Sequence, residues 1–185
     1  IKGGRTMKQY CPVCDCEQKV KIVRKEETYS VKGEPITIEA NVCTCAKCHE
    51  EIMSLEYDSD NLRRAYEKYR VNHGLLQPEM IKKIREQYNV SQVTFARIIG
   101  VGDKTIARYE NGSLQDEAIN NLIELSNDPK NFARLLERNG HLIAEDERKR
   151  LQESIGKAKV YIKWENRNVY NVDNTGVDDI YLKGA

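Results

Sequence analysis

The six cysteines of this chain all fall between positions 11 and 48, and their spacing is the strongest chemical signal in the sequence. They include two Cys-x-x-Cys pairs, Cys11/Cys14 and Cys45/Cys48, separated by thirty residues. A two-residue gap lets one tight turn direct both thiolates at a single ion, and two such turns complete a tetrahedral site. The spacing therefore predicts one structural Zn²⁺ per chain, held by these four residues. A closed four-thiolate site leaves no open coordination position, so no catalysis is expected there.

Three other uses of paired cysteines compete with zinc. Disulfides are disfavoured because the first residues lack the apolar segment of a secretory signal, which favours a reducing compartment. A thioredoxin-like pair would need a βαβ context that the sequence lacks, whereas an iron–sulfur cluster uses the same ligands and is harder to exclude. Cys16 and Cys43 could be alternative ligands, small buried hydrophobes or a redox-sensitive pair. His49 is interpreted as a bystander.

The segment between the two pairs must bring them together, and its alternating hydrophobicity predicts a small antiparallel sheet. Strands are expected over residues 20–24, 28–31 and 36–42, with a turn at 32–35 (Lys-Gly-Glu-Pro). A unit of about fifty residues buries too little core to be secure alone, so the metal would supply the missing stability. We expect a zinc-binding domain over residues 7–60.

Helical periodicity follows this domain. Residues 61–76 are expected to form a linker helix, and residues 77–140 an all-α domain. Its helices are predicted over 78–88, 92–99, 104–111, 114–125 and 129–139. Ser91 and Asp103 are expected to cap the second and third of these helices, which a glycine-bearing turn joins. Two short helices joined in this way indicate a helix-turn-helix.

The second helix of the pair is expected to expose Lys104, Thr105 and Arg108 to double-stranded DNA. The Arg108 guanidinium can donate two hydrogen bonds to guanine O6 and N7, and Thr105 can meet a base methyl or a phosphate. Gln92 begins the preceding helix and is placed to contact a phosphate. Further phosphate contacts are expected from basic residues of the domain's first helix: Lys82, Lys83 and Arg85.

Charge supports this interpretation, although the chain as a whole carries only +1. Residues 7–60 have a net charge of −4, and residues 61–112 have a net charge of +5. Clustered basic charge attracts a phosphate backbone. A solvated helical surface would carry the same charge, so the basic segment alone does not distinguish a DNA-binding surface from a solvated one.

The motif Ser91-Gln92-x-x-Phe95-Ala96-x-x-x-Gly100, followed by Thr105-x-x-Arg108-Tyr109-Glu110-x-Gly112, resembles the Xre/Cro-type helix-turn-helix. Combined with the two cysteine pairs, over roughly residues 7–140, the order resembles the MqsA (YgiT-type) antitoxin family. The resemblance implies a dimeric bacterial antitoxin of the cytoplasm and nucleoid, which neutralises a cognate toxin and represses its own operon at a palindromic operator. The family's zinc ligands fall on Cys11, Cys14, Cys45 and Cys48, and its base-contacting Asn and Arg fall on Lys104 and Arg108. Because Lys104 departs from the family's Asn, the operator sequence should differ.

These observations define the expected fold class as α+β. A small zinc-stabilised antiparallel β domain precedes an all-α, λ-repressor-like helix-turn-helix domain, and residues 141–185 form a mixed tail of unknown role. In the tail a charged helix is expected over 145–154 and a β-hairpin over 157–172. Residues 1–6 precede Met7 and are interpreted as a vector-derived addition. No apolar run approaches the ~20 residues that span a bilayer, so no membrane association is expected.

Two other functions compete with the antitoxin interpretation. The first is a zinc- or redox-responsive transcriptional regulator without a toxin partner, in which Cys16 and Cys43 trigger release of DNA. The second is an enzyme built on residues 141–185, against which the sequence argues because that segment contains only His141 and scattered acids. The favoured interpretation has no catalytic residues.

Overall fold

The structure is a computed structural model that describes residues 8–155. Four strands come first: β1 (Lys8–Cys11), β2 (Cys16–Val31), β3 (Glu34–Cys45) and β4 (Glu51–Ile52). Seven α-helices follow within this range: α1 (Leu55–Asn72), α2 (Pro78–Glu86), α3 (Gln92–Ile99), α4 (Thr105–Glu110), α5 (Glu117–Leu125), α6 (Pro129–Asn139) and α7 (Glu145–Ser154). The predicted α+β class is confirmed, and α7 matches the predicted charged helix. The hairpin expected over 157–172 lies outside the described residues.

The four strands form one antiparallel sheet in the order β1-β2-β3-β4. The predicted strands at 20–24 and 28–31 are one continuous strand, because β2 pairs with β3 without interruption from Val20↔Cys45 to Val31↔Glu34. The turn is shorter than expected and consists of Lys32 and Gly33, with φ of 49° and 84°. Two residues at positive φ match the twist of antiparallel strands, so a long hairpin can close tightly here.

Helix α1 covers both the face and the free edge of β3. Alternate β3 residues from Ile36 to Val42 point inward and pack against Ala65 and Tyr69 of the helix. The edge is covered by three side chains on successive turns of α1: Asn61, Arg64 and Lys68. The Asn61 amide bonds to both the N–H and the C=O of Asn41 at 2.9 Å. Arg64 and Lys68 donate to the carbonyls of Glu39 and Thr37, which follow at every second residue along the same edge. An edge strand with satisfied backbone groups is protected from pairing with another chain.

Helix α1 begins earlier than expected. The helix was expected to start at residue 61, but residues 57–60 already lie inside it, and its N-cap position is Ser54. The Asp58 carboxylate accepts a hydrogen bond from the Ser54 N–H at 3.0 Å, so a side chain inside the helix satisfies the backbone donor at its N-cap position. Short polar side chains mark a helix start in sequence whether they stand at the cap or in the first turn.

The second core lies among helices α2 to α7. Its buried side chains include Ile81, Ile84, Phe95, Ile106, Ile123, Phe132, Leu136 and Leu151. The Tyr88 and Phe132 rings stack with centroids 3.7 Å apart, which joins the end of α2 to α6. Leu151 lies in α7, so the helix beyond residue 145 contributes to the core that holds α3 and α4 in place. None of the helices within residues 8–155 is long and apolar enough to cross a membrane.

A buried arginine joins α1 to the segment after α4. Arg70 is 1% exposed, and its guanidinium donates to the carbonyls of Gly112 and Ser113 and to Oε1 of Gln115, at 2.6, 3.2 and 3.3 Å. Lys32 of the hairpin turn donates to the Gln115 carbonyl at 3.0 Å. A helix was predicted from Leu114, but α5 begins only at Glu117 because residues 113–115 are held by these contacts instead of by helical hydrogen bonds.

Candidate metal centre and nucleic-acid interface

The register of the sheet brings the two cysteine pairs to one end. The β1–β2 turn carries Cys11 and Cys14, and the turn between β3 and β4 carries Cys45 and Cys48. Because Val20 pairs with Cys45, the second turn lies only four residues along β2 from the first. All four Sγ atoms lie within 4.8 Å of one another. The structure therefore assembles from two distant sequence motifs the cluster that their spacing predicted.

The sulfur geometry fits a tetrahedral ion. The Sγ atoms of Cys11 and Cys48 lie 3.5 Å apart, and those of Cys14 and Cys45 lie 3.9 Å apart. Four thiolates at the ~2.3 Å of a zinc–sulfur bond would stand about 3.8 Å from one another. A disulfide would need about 2.05 Å, and all four cysteines are free. The donor set is thus one that could hold a metal ion.

Backbone amides and mutual crowding set the protonation of these thiols. The backbone N–H of Cys48, with help from that of Lys47, lowers the pKa of Cys45 to about 6. The Cys14 thiol shows the opposite shift, because its hydrogen bond to Cys48 and its burial raise its pKa to about 12. Several sulfurs confined to one small volume cannot all ionise unless a cation offsets their charge.

The two remaining cysteines, Cys16 and Cys43, lie outside the four-cysteine cluster and do not lie beside each other. Cys43 is 1% exposed and packs beside Ile52, whereas Cys16 is exposed and accepts a hydrogen bond from Gln18 Nε2 at 3.0 Å. Cys43 pairs with Ile22, which is six residues along β2 from Cys16, or roughly 20 Å in an extended strand. A disulfide needs Cα atoms within about 7 Å. The hypothesis of a redox-sensitive Cys16–Cys43 pair is therefore wrong, and Cys43 is a small buried hydrophobe.

The helix-turn-helix is formed by α3, the turn at 100–104 and α4. The Ser91 side chain accepts the N–H of Thr94 at 3.0 Å, so the predicted cap of α3 is confirmed. Gly100 ends α3 with φ of 81°, a left-handed conformation that costs glycine little. The predicted cap of α4 is wrong: Lys104 stands at the N-cap position, and the Asp103 carboxylate is bound by Arg97. A guanidinium offers two charge-assisted hydrogen bonds, which are stronger than one bond to a backbone N–H.

The residues predicted to contact DNA lie on α2, at the start of α3, and at the N-cap position of α4 and within α4. Lys104 and Arg108 are exposed, and within residues 8–155 neither side chain has a hydrogen-bond or ion-pair partner. Thr105 is half-buried between them. Lys82 and Lys83 are exposed on α2, where Lys82 lies 3.8 Å from Glu86.

Arg85 and Gln92 differ from the expectation that both would be available to phosphates. The Arg85 side chain is 12% exposed and bonds to both carboxylate oxygens of Glu110, at 2.6 and 3.0 Å. It also donates to the Val90 carbonyl at 2.9 Å, so it acts as an internal support and not as a surface cation. The Gln92 amide donates to the same Glu110 carboxylate at 2.7 Å.

Glu110 is the functional residue that sequence reasoning missed. Its side chain is 5% exposed and accepts hydrogen bonds from α2 and from the start of α3, while it belongs to α4 itself. These contacts fix the two helices of the motif relative to each other and to α2. The only signal of Glu110 in the sequence was its place in the run Arg-Tyr-Glu-Asn-Gly, which belongs to the motif that resembles the Xre/Cro type. Its partner Arg85 lies 25 residues away, so no local pattern indicated their contact.

Comparison with known proteins agrees with this geometry. The model of the family described as "Antitoxin component of bacterial toxin-antitoxin system, MqsA" matches residues 7–145. Antitoxin MqsA of Escherichia coli (strain K12) is 31% identical over 108 residues, which cover 57% of this chain and 81% of that protein. The region that the family model matches, residues 7–145, contains the cysteine cluster, α1 and the whole helix-turn-helix. The chain belongs to the MqsA antitoxin family.

Proposed function

We propose that this chain is the antitoxin of a bacterial type II toxin-antitoxin system. It neutralises a cognate toxin protein and represses its own operon by sequence-specific binding to operator DNA. Family membership supports the antitoxin role. The single observation that carries the full proposal is the presence, on one chain, of a four-thiolate cluster and of a helix-turn-helix with accessible cations. Every role assigned here is a binding role, so no catalytic activity is proposed.

The metal of the cluster is proposed to be one structural Zn²⁺ per chain, held by Cys11, Cys14, Cys45 and Cys48. Thiolates favour zinc, and the separations between sulfurs match its tetrahedral geometry. The ion would tie β1 and the β3–β4 turn to the end of the hairpin, where the buried set is small: Cys11, Cys43, Cys45 and Ile52. Zinc would therefore stabilise this end of the sheet and take no part in chemistry.

Operator binding is assigned to the helix-turn-helix. Lys104, Thr105 and Arg108 are proposed to contact base edges. Lys82, Lys83 and Gln92 are proposed to contact phosphates, Gln92 in the orientation that Glu110 gives it. Recognition of a palindromic operator would require two copies of the motif related by a two-fold axis, so we infer a homodimer.

Toxin neutralisation is assigned to the zinc domain, residues 7–60, with residues 61–76 as linker helix and 77–140 as DNA-binding domain. The zinc domain carries −4 and the basic segment over 61–112 carries +5, so the two would not compete for the same polyanion. Acting on its own operon places the protein in the bacterial cytoplasm, at the nucleoid. No role is assigned to residues 1–6, or to the tail over 141–185 beyond the packing of α7.

The experiment that tests the antitoxin role is co-expression of the full chain with the product of its neighbouring reading frame. We expect a complex that survives purification, about one zinc per chain, and relief of the partner's growth inhibition. Absence of a complex would overturn the antitoxin role, and zinc-dependent DNA binding without a partner would favour a zinc-responsive regulator. Absence of any specific band in a DNA shift assay with the upstream region would overturn the repressor role.

A pair of cysteine variants controls for nonspecific damage in this experiment. Cys45→Ser removes a proposed ligand and should lose the zinc and the partner together. Cys16→Ser removes an exposed thiol outside the cluster and should retain both. Equal behaviour of the two variants would contradict the ligand assignment.

A further inference from the structure

An ion pair at the exposed surface joins the last turn of α3 to the turn that precedes α4. Arg97, in the last turn of α3, donates to the Asp103 carboxylate through Nε to Oδ1 at 3.0 Å and through Nη2 to Oδ2 at 2.8 Å. The two side chains are 43% and 50% exposed. The carboxylate is thus held in one orientation while it remains accessible from solvent.

Asp103 lies where a helix-turn-helix approaches DNA. It follows the exposed turn residue Gly102 and directly precedes Lys104 and Thr105, which are proposed base contacts. In this class of motif, residues at the N-terminal end of the second helix face base edges in the major groove. The inference therefore rests on the proposed DNA-binding function and assigns a further residue to it.

A carboxylate on a surface that meets DNA is repelled by phosphates, so we expect it to have a partner on the DNA or a role in holding the helix. Capping does not supply such a role, because α4 has no side-chain cap and Arg97 occupies the Asp103 carboxylate. Arg97 also lowers the pKa of Asp103, so that the group stays ionised at neutral pH and only accepts hydrogen bonds. In the major groove, the base group that an acidic side chain accepts from is the N4 amino group of cytosine.

We propose that Asp103 is a specificity-determining residue, accepting a hydrogen bond from the N4 amino group of one cytosine in each operator half-site. Arg97 is its positioning residue. The guanidinium fixes the direction of the carboxylate and offsets its charge beside the DNA backbone. Arg108 lies five residues further along the chain, within α4, and reads a separate position through guanine.

The test is selection of bound sequences from a randomised double-stranded DNA library, using the full chain and its D103N variant. Asparagine keeps the size of the side chain but pairs with adenine. The original chain should enrich cytosine at one position of each half-site. D103N should exchange that preference for adenine by about fivefold or more, while the position read by Arg108 keeps its guanine.

Two further variants separate base reading from a structural role. Asp103→Ala should relax the preference at the same position without creating a new one, and it replaces D103N should that variant not fold. Arg97→Gln should weaken the cytosine preference and select no substitute base. Circular dichroism and zinc content of each variant show that it is folded before selection begins.

The outcomes distinguish this inference from the function on which it rests. D103N and Asp103→Ala could enrich the same motif as the original chain, with affinity lowered evenly for all sequences. That result would mean that the Arg97–Asp103 ion pair only holds the turn, and it would overturn the assignment of Asp103 to cytosine. DNA reading by the motif would then stand. Should the original chain enrich no sequence at all, the repressor function fails, and the role of Asp103 fails with it.

Discussion

Glu110→Gln should be among the most damaging single substitutions in the helix-turn-helix. The carboxylate accepts two hydrogen bonds from Arg85, at 2.6 and 3.0 Å, and one from Gln92 at 2.7 Å. A glutamine of the same size keeps one acceptor oxygen and turns an amide N–H₂ toward these donors. Arg85, which is only 12% exposed, would then keep only the longer contact to the exposed Glu86 carboxylate, at 3.5 Å.

The size of the effect follows from burial. Breaking a buried ion pair by removing one partner costs about 3–5 kcal/mol when an uncompensated charge is left behind, and we expect the lower end of this range because Glu86 stays beside Arg85. Both side chains are largely shielded from water, so solvent screens the pair little. Domain stabilities are on the order of 5–15 kcal/mol, so the loss should appear clearly as a lower urea midpoint at 25 °C. Because α4 has only six residues and cannot persist alone, DNA affinity should fall as well.

The matched control is Arg63→Gln, which breaks an exposed pair. Arg63 is 60% exposed and binds Asp60 at 2.6 Å and also Glu67, so its loss should cost at most about 1 kcal/mol. The double variant Arg85→Met with Glu110→Leu should recover part of the stability lost in Glu110→Gln, since it buries no charge. A Glu110→Gln effect no larger than that of Arg63→Gln would refute the reasoning.

Three further predictions concern the metal, the DNA surface and the unpaired cysteines. Chelation of the proposed zinc should unfold the end of the sheet and abolish toxin binding while the circular dichroism of the helices persists; retained toxin binding after measured loss of metal would contradict it. Arg108→Ala should cost about 1–3 kcal/mol of binding free energy on the preferred operator, measured by titration. Lys82→Ala should weaken binding to all sequences evenly and reduce the slope of log affinity against log salt by about 1. Equal loss on specific and random DNA in the Arg108 variant would count against base reading. Cys43→Ser should destabilise the chain by about 1–3 kcal/mol, because it buries a hydroxyl at a residue that is 1% exposed. Cys16→Ser should leave the stability unchanged, because Cys16 is exposed. Melting temperatures that shift equally in the two variants would show that burial is not the cause.

Much of the fold could be predicted because its signals are local. The cap at Ser91, the glycine end of α3 and the start of α6 at Asp128-Pro129 each depend on residues within about one turn of the helix. The predicted start of α5 was wrong because distant partners intervene there. Helix α5 begins late because Arg70 and Lys32 hold the residues before it, and these partners lie over forty positions away.

The candidate site divides in the same way. The spacing of the cysteine pairs was sufficient to predict a four-thiolate cluster, because each tight turn needs only its own residues. Whether Cys16 and Cys43 meet depended on the register between β2 and β3, which is set by the two-residue turn at Lys32–Gly33 far from either thiol. One residue of slip would move every side chain to the opposite face, and no local pattern fixes that register by itself.

The types and order of the elements, the family and the chemical types of the two candidate sites were predictable from periodicity, turn residues and motif spacing. The use that the fold makes of its charged side chains was not predictable, because it depends on tertiary packing. Asp103 binds Arg97 instead of capping α4, and Glu110 withdraws Arg85 from the surface to support the motif. A charged side chain bonds to whichever partner packing brings within about 3 Å, and packing is a property of the whole chain.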